Sequence, residues 1–326
     1  YTIKLLVKRD LFRDPENGKR KNIGKLFADM ILFFFVFPYH MATADKVFMN
    51  DNFLPLCYMK TANRQTQFVQ LWHGAGVFKR FGLSTEDDPS VYQIVKEANQ
   101  KITHLFVTSE NVIPFYQEAF SVPKDKIYPT GIPVTDIYFD QDRIRHRKEK
   151  FYQNHPTFEG KKLLLYAPTF RRTEEENRNI MEQFDISRVH DILGPDWIIL
   201  IRMHPKFPME NITENSFCYN MTDYNDITDL YLVSDMLVTD YSSSVVEYVL
   251  LNKPIVLFAY DLPDYDRGFY FDYEQMMPGK IAHTQEELYG ILLKKCDNLP
   301  KRQNFVKFQY DNTEGDACGR ILKILG

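Results

Sequence analysis

Three short stretches carry residue types suited to group transfer. His73 follows Leu71-Trp72 and precedes Gly74-Ala75-Gly76, a turn whose glycines let a ligand approach backbone N–H groups. An imidazole there can titrate near neutral pH and remove a hydroxyl proton. A loop histidine bonded to backbone is the alternative. His204 sits in Ile201-Arg202-Met203-His204-Pro205. Arg202 and His204, two residues apart at a strand end, can point the same way and donate to phosphate oxygens; a salt bridge at a domain edge is the other reading of Arg202. The third stretch is Thr239-Asp240-Tyr241-Ser242-Ser243-Ser244, which separates apolar Met236-Leu237-Val238 from helically spaced Val245, Val246, Val249 and Leu250. It reads as strand, tight turn and helix. A helix start with open N–H groups and hydroxyls suits a phosphate, and an ordinary N-cap without ligand is the plainer reading.

Other chemistries are disfavoured. The sequence has no G-x-S-x-G, Walker A or G-x-G-x-x-G pattern, which argues against a serine hydrolase, a P-loop NTPase and a dinucleotide oxidoreductase. Asp223, Asp226 and Asp229 recur at a spacing of three, which capping and helix solvation explain. We expect no metal and no cofactor. Forty Lys and Arg against 44 Asp and Glu leave a net charge of −4, so nucleic acid is not an expected partner. Cys57, Cys218, Cys296 and Cys318 are scattered and fit a reducing cytoplasm.

These residues need strand ends to hold them. Expected strands run over 3–7, 46–49, 68–72, 104–108 and 126–129, and in the second half over 162–166, 197–202, 217–220, 235–238 and 254–258. Helices are expected at 24–44, 89–100, 109–120, 143–154, 180–193, 226–233, 285–295 and 316–325. Two such series imply an α/β protein of two Rossmann-like domains facing across a cleft, 1–155 and 156–326, with the last helix free to cross back. His73, Pro133, Thr169, His204, Ser242 and Asp261 all follow expected strands. The sequence starts in a strand-like segment, and we expect the N-terminal domain to lack an earlier element. The charged run 143–154 reads as a solvated helix face. The apolar run 30–37, short of the ~20 residues that span a bilayer, belongs to a helix that is either buried in the domain or lies on a membrane surface beside Lys19-Arg20-Lys21 and Lys25.

Five motifs in order carry a resemblance. They are Gln70-Leu71-Trp72-His73-Gly74-Ala75-Gly76 with the following Val77 to Gly82, Tyr166-Ala167-Pro168-Thr169-Phe170-Arg171, Arg202-Met203-His204-Pro205, Thr239-Asp240-Tyr241-Ser242-Ser243-Ser244 with Val245 to Tyr248, and Arg267-Gly268-Phe269-Tyr270-Phe271-Asp272-Tyr273. Over about residues 46–275 the chain resembles the CDP-glycerol glycerophosphotransferase family of wall teichoic acid synthesis. The resemblance implies a GT-B architecture, with acceptor on the N-terminal domain and the CDP-linked donor on the C-terminal one. It implies transfer of glycerol phosphate from CDP-glycerol, or ribitol phosphate from CDP-ribitol in some relatives, to a hydroxyl of a prenyl-diphosphate-linked saccharide or polymer at the cytoplasmic face of the membrane. CMP leaves.

By motif match, His73 and His204 are the implied catalytic residues. Trp72, Gly74, Pro168, Thr169, Arg202, Met203, Ser242, Ser243 and Glu247 are implied donor contacts, with Arg171, Asp240 and Asp261 as further candidates. The chain departs from the family at Ala75-Gly76, where W-H-G-T-P is common, at Val134, where an arginine is common, and at Glu247, where Asp is common. The chemistry suits the residues independently. His73 would take the acceptor proton, while Arg202, His204 and the turn at Ser242 would hold negative charge. A nucleotide-sugar transferase or epimerase, and a non-catalytic relative that binds a lipid-linked glycan, are the competing functions.

Overall fold

A computed structural model describes residues 2–5, 23–59, 65–204, 214–265, 268–294 and 297–326. Expectations for Leu6, Val7, Lys19-Arg20-Lys21, Pro205, Arg267 and Cys296 lie outside them. Contacts divide the chain into two units: Tyr1–His73, Gly82–Phe106 and Tyr116–Tyr128 form one, and Gly74–Phe81, Val107–Phe115 and Pro129–Gly326 the other.

The first unit holds a parallel sheet of β1 (Lys46–Met49), β2 (Gln67–Gln70), β3 (His104–Phe106) and β4 (Ile127–Tyr128), in that order. Phe68, Val69, Leu105 and Phe106 are buried, which fixes the register. Asp88 caps the helix Pro89–Asn99 by accepting from Ser90 N at 2.8 Å. Ile3 and Leu5 are exposed and in no strand, contrary to expectation. The helix Ile23–Thr43 has 21 residues and is long and apolar enough to cross a membrane. Burial in the domain is overturned among the described residues, since Phe27, Phe34, Phe35 and Tyr39 are exposed.

The second unit is a six-stranded parallel sheet. Its strands are β5 (Lys162–Tyr166), β6 (Trp197–Ile201), β7 (Cys218–Asn220), β8 (Met236–Thr239), β9 (Ile255–Phe258) and β10 (Lys280–Ala282). They lie in the order β10-β9-β8-β5-β6-β7, the doubly wound order whose direction reverses between β5 and β8. Leu163 to Tyr166, Ile198 to Ile201, Met236 to Thr239 and Ile255 to Phe258 are all buried. Helices cover both faces of such a sheet, so its strands read as continuous apolar runs. Burial of each large aliphatic side chain contributes about 1.5–3 kcal/mol.

Three local features differ from expectation. The helix expected at 180–193 is two, Glu174–Gln183 and Ile186–Leu193, because buried Phe184 stacks on Tyr166 at 3.8 Å and Asp185 caps the second helix through Arg188 N. The charged helix Gln141–Asn154 is not merely solvated: Arg147 pairs with Asp226 and Asp229 at the start of the helix Ile227–Val233. That pairing lies within the second unit. The last helix, Ala317–Leu325, docks within the same unit, where Asp136 accepts from Ala317 N (2.7 Å) and Cys318 N (3.0 Å).

The loop Gly74–Phe81 belongs to the second unit through an unanticipated residue. Gln309, fully buried near the end of the helix Leu299–Gln309, accepts from Val77 N (2.8 Å) and donates to Val77 O (2.6 Å). Gly76, at φ +55°, has no room for a side chain, because a Cβ would stand 2.2 Å from Gln309 Oε1. That glycine serves packing rather than ligand approach. Gln309→Ala leaves the Val77 N–H and C=O without partners, and we expect it to lower unfolding stability in urea by roughly 2–5 kcal/mol; a change below about 0.5 kcal/mol, within the usual range for surface substitutions, would contradict this role.

Candidate active site

In the second unit the expected residues gather at the carboxyl edge of the sheet, around the reversal between β5 and β8. Tyr166 is in register with Val238, and Thr239 Oγ1 donates to Ala167 O at 2.7 Å. Beyond β5, Pro168 is buried, and the Thr169 hydroxyl is buried with no partner among the described residues. Such a group is rarely left unpaired unless a ligand or water serves it. Beyond β6, the exposed His204 ring lies 4.4 Å from that of Phe170.

Beyond β8 the turn is held by charge. Asp240, only 2 % exposed, accepts from Thr169 N (2.8 Å) and Tyr241 N with one oxygen and from Arg171 Nη2 (2.9 Å) with the other. Arg171 also donates to both oxygens of Asp261 (2.7 and 3.0 Å) and to Thr169 O. Burial opposes the guanidinium charge, and the two carboxylates more than offset that, so its pKa is raised. Arg171, Asp240 and Asp261, candidates for ligand contact by sequence, thus spend their hydrogen bonds on one another and on the loops.

Within the turn, Ser242 Oγ is 2.8 Å from Ser244 Oγ and accepts from Ser244 N at 3.2 Å. The N–H groups of Ser242 and Ser243 have no acceptor among the described residues. Two adjacent open N–H groups at a strand end form an anion seat. The helix that follows, Ser244–Tyr248, is short, and Ser243 makes no side-chain cap. Glu247 accepts from the buried Tyr138 hydroxyl at 2.8 Å. Burial pushes its carboxyl above the ordinary 4.5, and the Tyr138 bond only partly counters this.

Arg202 and Met203 are both bonded to the loop after β7. Arg202 Nη1 donates to the carbonyls of Met221 (2.7 Å), Thr222 and Tyr224 (2.6 Å), so this nitrogen fixes the loop after β7 and forms neither a phosphate clamp nor a salt bridge. Its Nε and Nη2 have no partner among the described residues. Burial lowers its pKa. Met203 is a core residue, 2 % exposed, with its N–H on Thr222 Oγ1 at 3.2 Å. Val134 is exposed.

In the first unit the turn after β2 carries Trp72 and His73. Trp72 adopts φ +58°, a region that bulky residues enter only under constraint. Its N–H goes to the side-chain oxygen of Gln70 at 2.8 Å, and its indole meets the His73 ring at 4.0 Å and the edge of Phe120 at 5.1 Å. His73 is exposed, with Nδ1 3.0 Å from Asn50 O. A carbonyl oxygen can only accept, so Nδ1 carries a proton there and Nε2 is the ring nitrogen left to face a ligand. The positions that sequence reasoning missed are Gln70, Asn50 and Tyr138. Only Gln70 left a signal, as a polar residue inside an otherwise apolar strand end.

The profile of the family described as CDP-Glycerol:Poly(glycerophosphate) glycerophosphotransferase matches residues 30–325. The chain belongs to this family. It is 35 % identical over 290 residues to the teichoic acid poly(ribitol-phosphate) polymerase of Bacillus spizizenii, covering 87 % of this chain and 47 % of that protein. It therefore spans about half the length of that relative. Against the teichoic acid ribitol-phosphate primase of the same organism it is 34 % identical over 324 residues, covering 97 % of this chain and 82 % of the primase. The structure of the wall teichoic acid polymerase TagF superposes with a TM-score of 0.75 at 25 % identity, covering 86 % of this chain and 72 % of that one. The fold is that of this family, α/β with two Rossmann-like units of the GT-B class.

The Glu247 environment makes a pH-dependent prediction. Its folded-state pKa lies above 4.5, so the stability its neutral form contributes is present at low pH and lost as pH rises through that raised value. Glu247→Gln keeps an acceptor for Tyr138 and removes the charge. The stability of this family member's Gln variant relative to wild type, from urea unfolding between about pH 4 and pH 8, should grow with pH; a pH-independent difference would refute the assignment.

Proposed function

We propose that the protein transfers a polyol phosphate from a CDP-linked donor to a hydroxyl of a prenyl-diphosphate-linked saccharide or polymer, releasing CMP, at the cytoplasmic face of the cell membrane. The observation that carries this reading is the pair of N–H groups at Ser242 and Ser243 without an acceptor among the described residues, on the loop that follows β8 at the sheet reversal. A diphosphate suits these donors, and open α/β sheets bind ligands at such a reversal.

The acceptor oxygen attacks the phosphorus that bears the polyol. The new P–O bond forms, the phosphoanhydride bond breaks, and the electron pair leaves with CMP. His73 Nε2 takes the acceptor proton. His204 and the Ser242–Ser243 N–H groups hold the charge that develops on the donor, which is where most of the acceleration of phosphoryl transfer arises. Glu247 accepts from donor hydroxyls. Trp72, Gly74, Pro168 and Met203 shape the donor site through ring faces and backbone.

The family description supports glycerol as the polyol, hence CDP-glycerol as donor. The names of the two Bacillus spizizenii relatives support ribitol as the second reading. CMP release and product mass, measured with a synthetic lipid-linked acceptor and each CDP-polyol, decide between them. We expect His73→Ala and His204→Ala each to lower turnover at least about 100-fold, the range for removing a general base or a charge-stabilising group. Wild-type turnover in either variant would refute that histidine's role.

The exposed aromatic face of the helix Ile23–Thr43 supports attachment to the membrane surface. Phe27→Glu with Phe35→Glu should lower co-sedimentation with phosphatidylglycerol vesicles about tenfold or more, because each buried aromatic is worth some 1.5–3 kcal/mol. Unchanged binding would remove the helix from this role.

A further inference from the structure

The turn that carries His73 is held by a closed set of hydrogen bonds, and one side chain makes two of them. Gln70, the last residue of β2, is 1 % exposed. Its Oε1 accepts from Trp72 N at 2.8 Å, and its Nε2 donates to Asp51 O at 3.3 Å. The neighbouring carbonyl, that of Asn50, accepts from His73 Nδ1 at 3.0 Å. Leu71 N, between them, donates to Met49 O at 2.8 Å. Gln70 therefore grips both sides of the histidine: the residue before it, and the peptide next to the carbonyl that orients its ring.

Trp72 needs that grip. A φ of +58° costs a non-glycine residue about 1–2 kcal/mol through the clash of Cβ with the carbonyl oxygen. Such a conformation persists only where its surroundings impose it, and it is concentrated at functional sites. A glutamine fits this place because it supplies an acceptor and a donor on one planar group. A buried methionine of similar length supplies neither.

We propose that Gln70 is a positioning residue for His73: it holds Trp72 in the left-handed conformation and the Asn50-Asp51 turn in place, and so sets the ring in the Nδ1–H tautomer with Nε2 open. This rests on the reading of His73 as the base. Without Gln70, the tryptophan relaxes toward negative φ, the histidine swings with its backbone, and the Asn50 carbonyl no longer selects one tautomer. Displacement of a base by about 1 Å is enough to cost on the order of 100-fold in rate.

The test uses the full chain with 15N-labelled histidine. Long-range proton–nitrogen correlation spectra assign the His73 tautomer, and transfer assays give kcat and KM. Wild type should show the Nδ1–H form. Gln70→Met should show a mixture of both tautomers, with kcat lowered about 10- to 100-fold. Gln70→Glu, nearly isosteric, keeps the acceptor for Trp72 N and loses the donor to Asp51 O. It should show the same changes at smaller size, and it serves where Gln70→Met does not fold. An Nε2–H tautomer in wild type, or a wild-type tautomer and kcat in the variants, would overturn the proposal. So would a loss of kcat that tracks melting temperature while the tautomer stays unchanged. An inactive wild-type protein whose His73 tautomer still depends on Gln70 would refute the transfer reaction and uphold the positioning role.

Discussion

A guanidinium buried between two carboxylates sets the geometry on which the second unit's site depends. Arg171 is 8 % exposed and lies between Asp240 and Asp261, with the ring of Tyr241 5.1 Å from its centre. Desolvating three charges is expensive, and such a network adds little net stability compared with a well-packed apolar core. What it supplies is a fixed arrangement. Asp240 can satisfy its oxygens only by drawing in Thr169 N and Tyr241 N, and Arg171 reaches the carbonyl of Thr169. The loops after β5 and β8 are thereby locked together. Ser242 and Ser243 come next in the chain, and their N–H groups are what remains for a ligand.

The first unit reaches a similar end without charge. Its site turn is shaped by a neutral amide, Gln70, and by strain in Trp72. In both units a buried polar side chain that bonds to more than one segment fixes a short turn after a strand. The exposed histidine is then carried by backbone rather than by long side-chain contacts. Preorganisation of this kind suits phosphoryl transfer, in which the protein mainly positions groups and stabilises charge.

Much of this was legible in the sequence. Leu163-Leu164-Leu165-Tyr166 and Ile198-Ile199-Leu200-Ile201 announce strands buried on both faces, and the polar residues after them fall at the carboxyl edge. What escaped was whatever depends on partners distant in the chain. Gln309 serves Val77 across 232 positions, and no local pattern marks it. Arg202 next to His204 suggested a phosphate contact, and nothing in the sequence signals that its Nη1 also holds three carbonyls of the loop after β7. Met203 alternates inward along the same strand end and joins the core. The left-handed Trp72 was invisible because large aromatics give no sequence signal for positive φ.

On the proposed reading, the Ser242–Ser243 turn seats the donor diphosphate. The most direct measurement is a crystal structure of the protein grown with CDP-glycerol or CDP-ribitol. Diphosphate oxygens should lie within hydrogen-bonding distance of Ser242 N and Ser243 N, with Arg171 still paired to Asp240 and Asp261. A nucleotide bound elsewhere, with those two N–H groups facing only solvent, would contradict it.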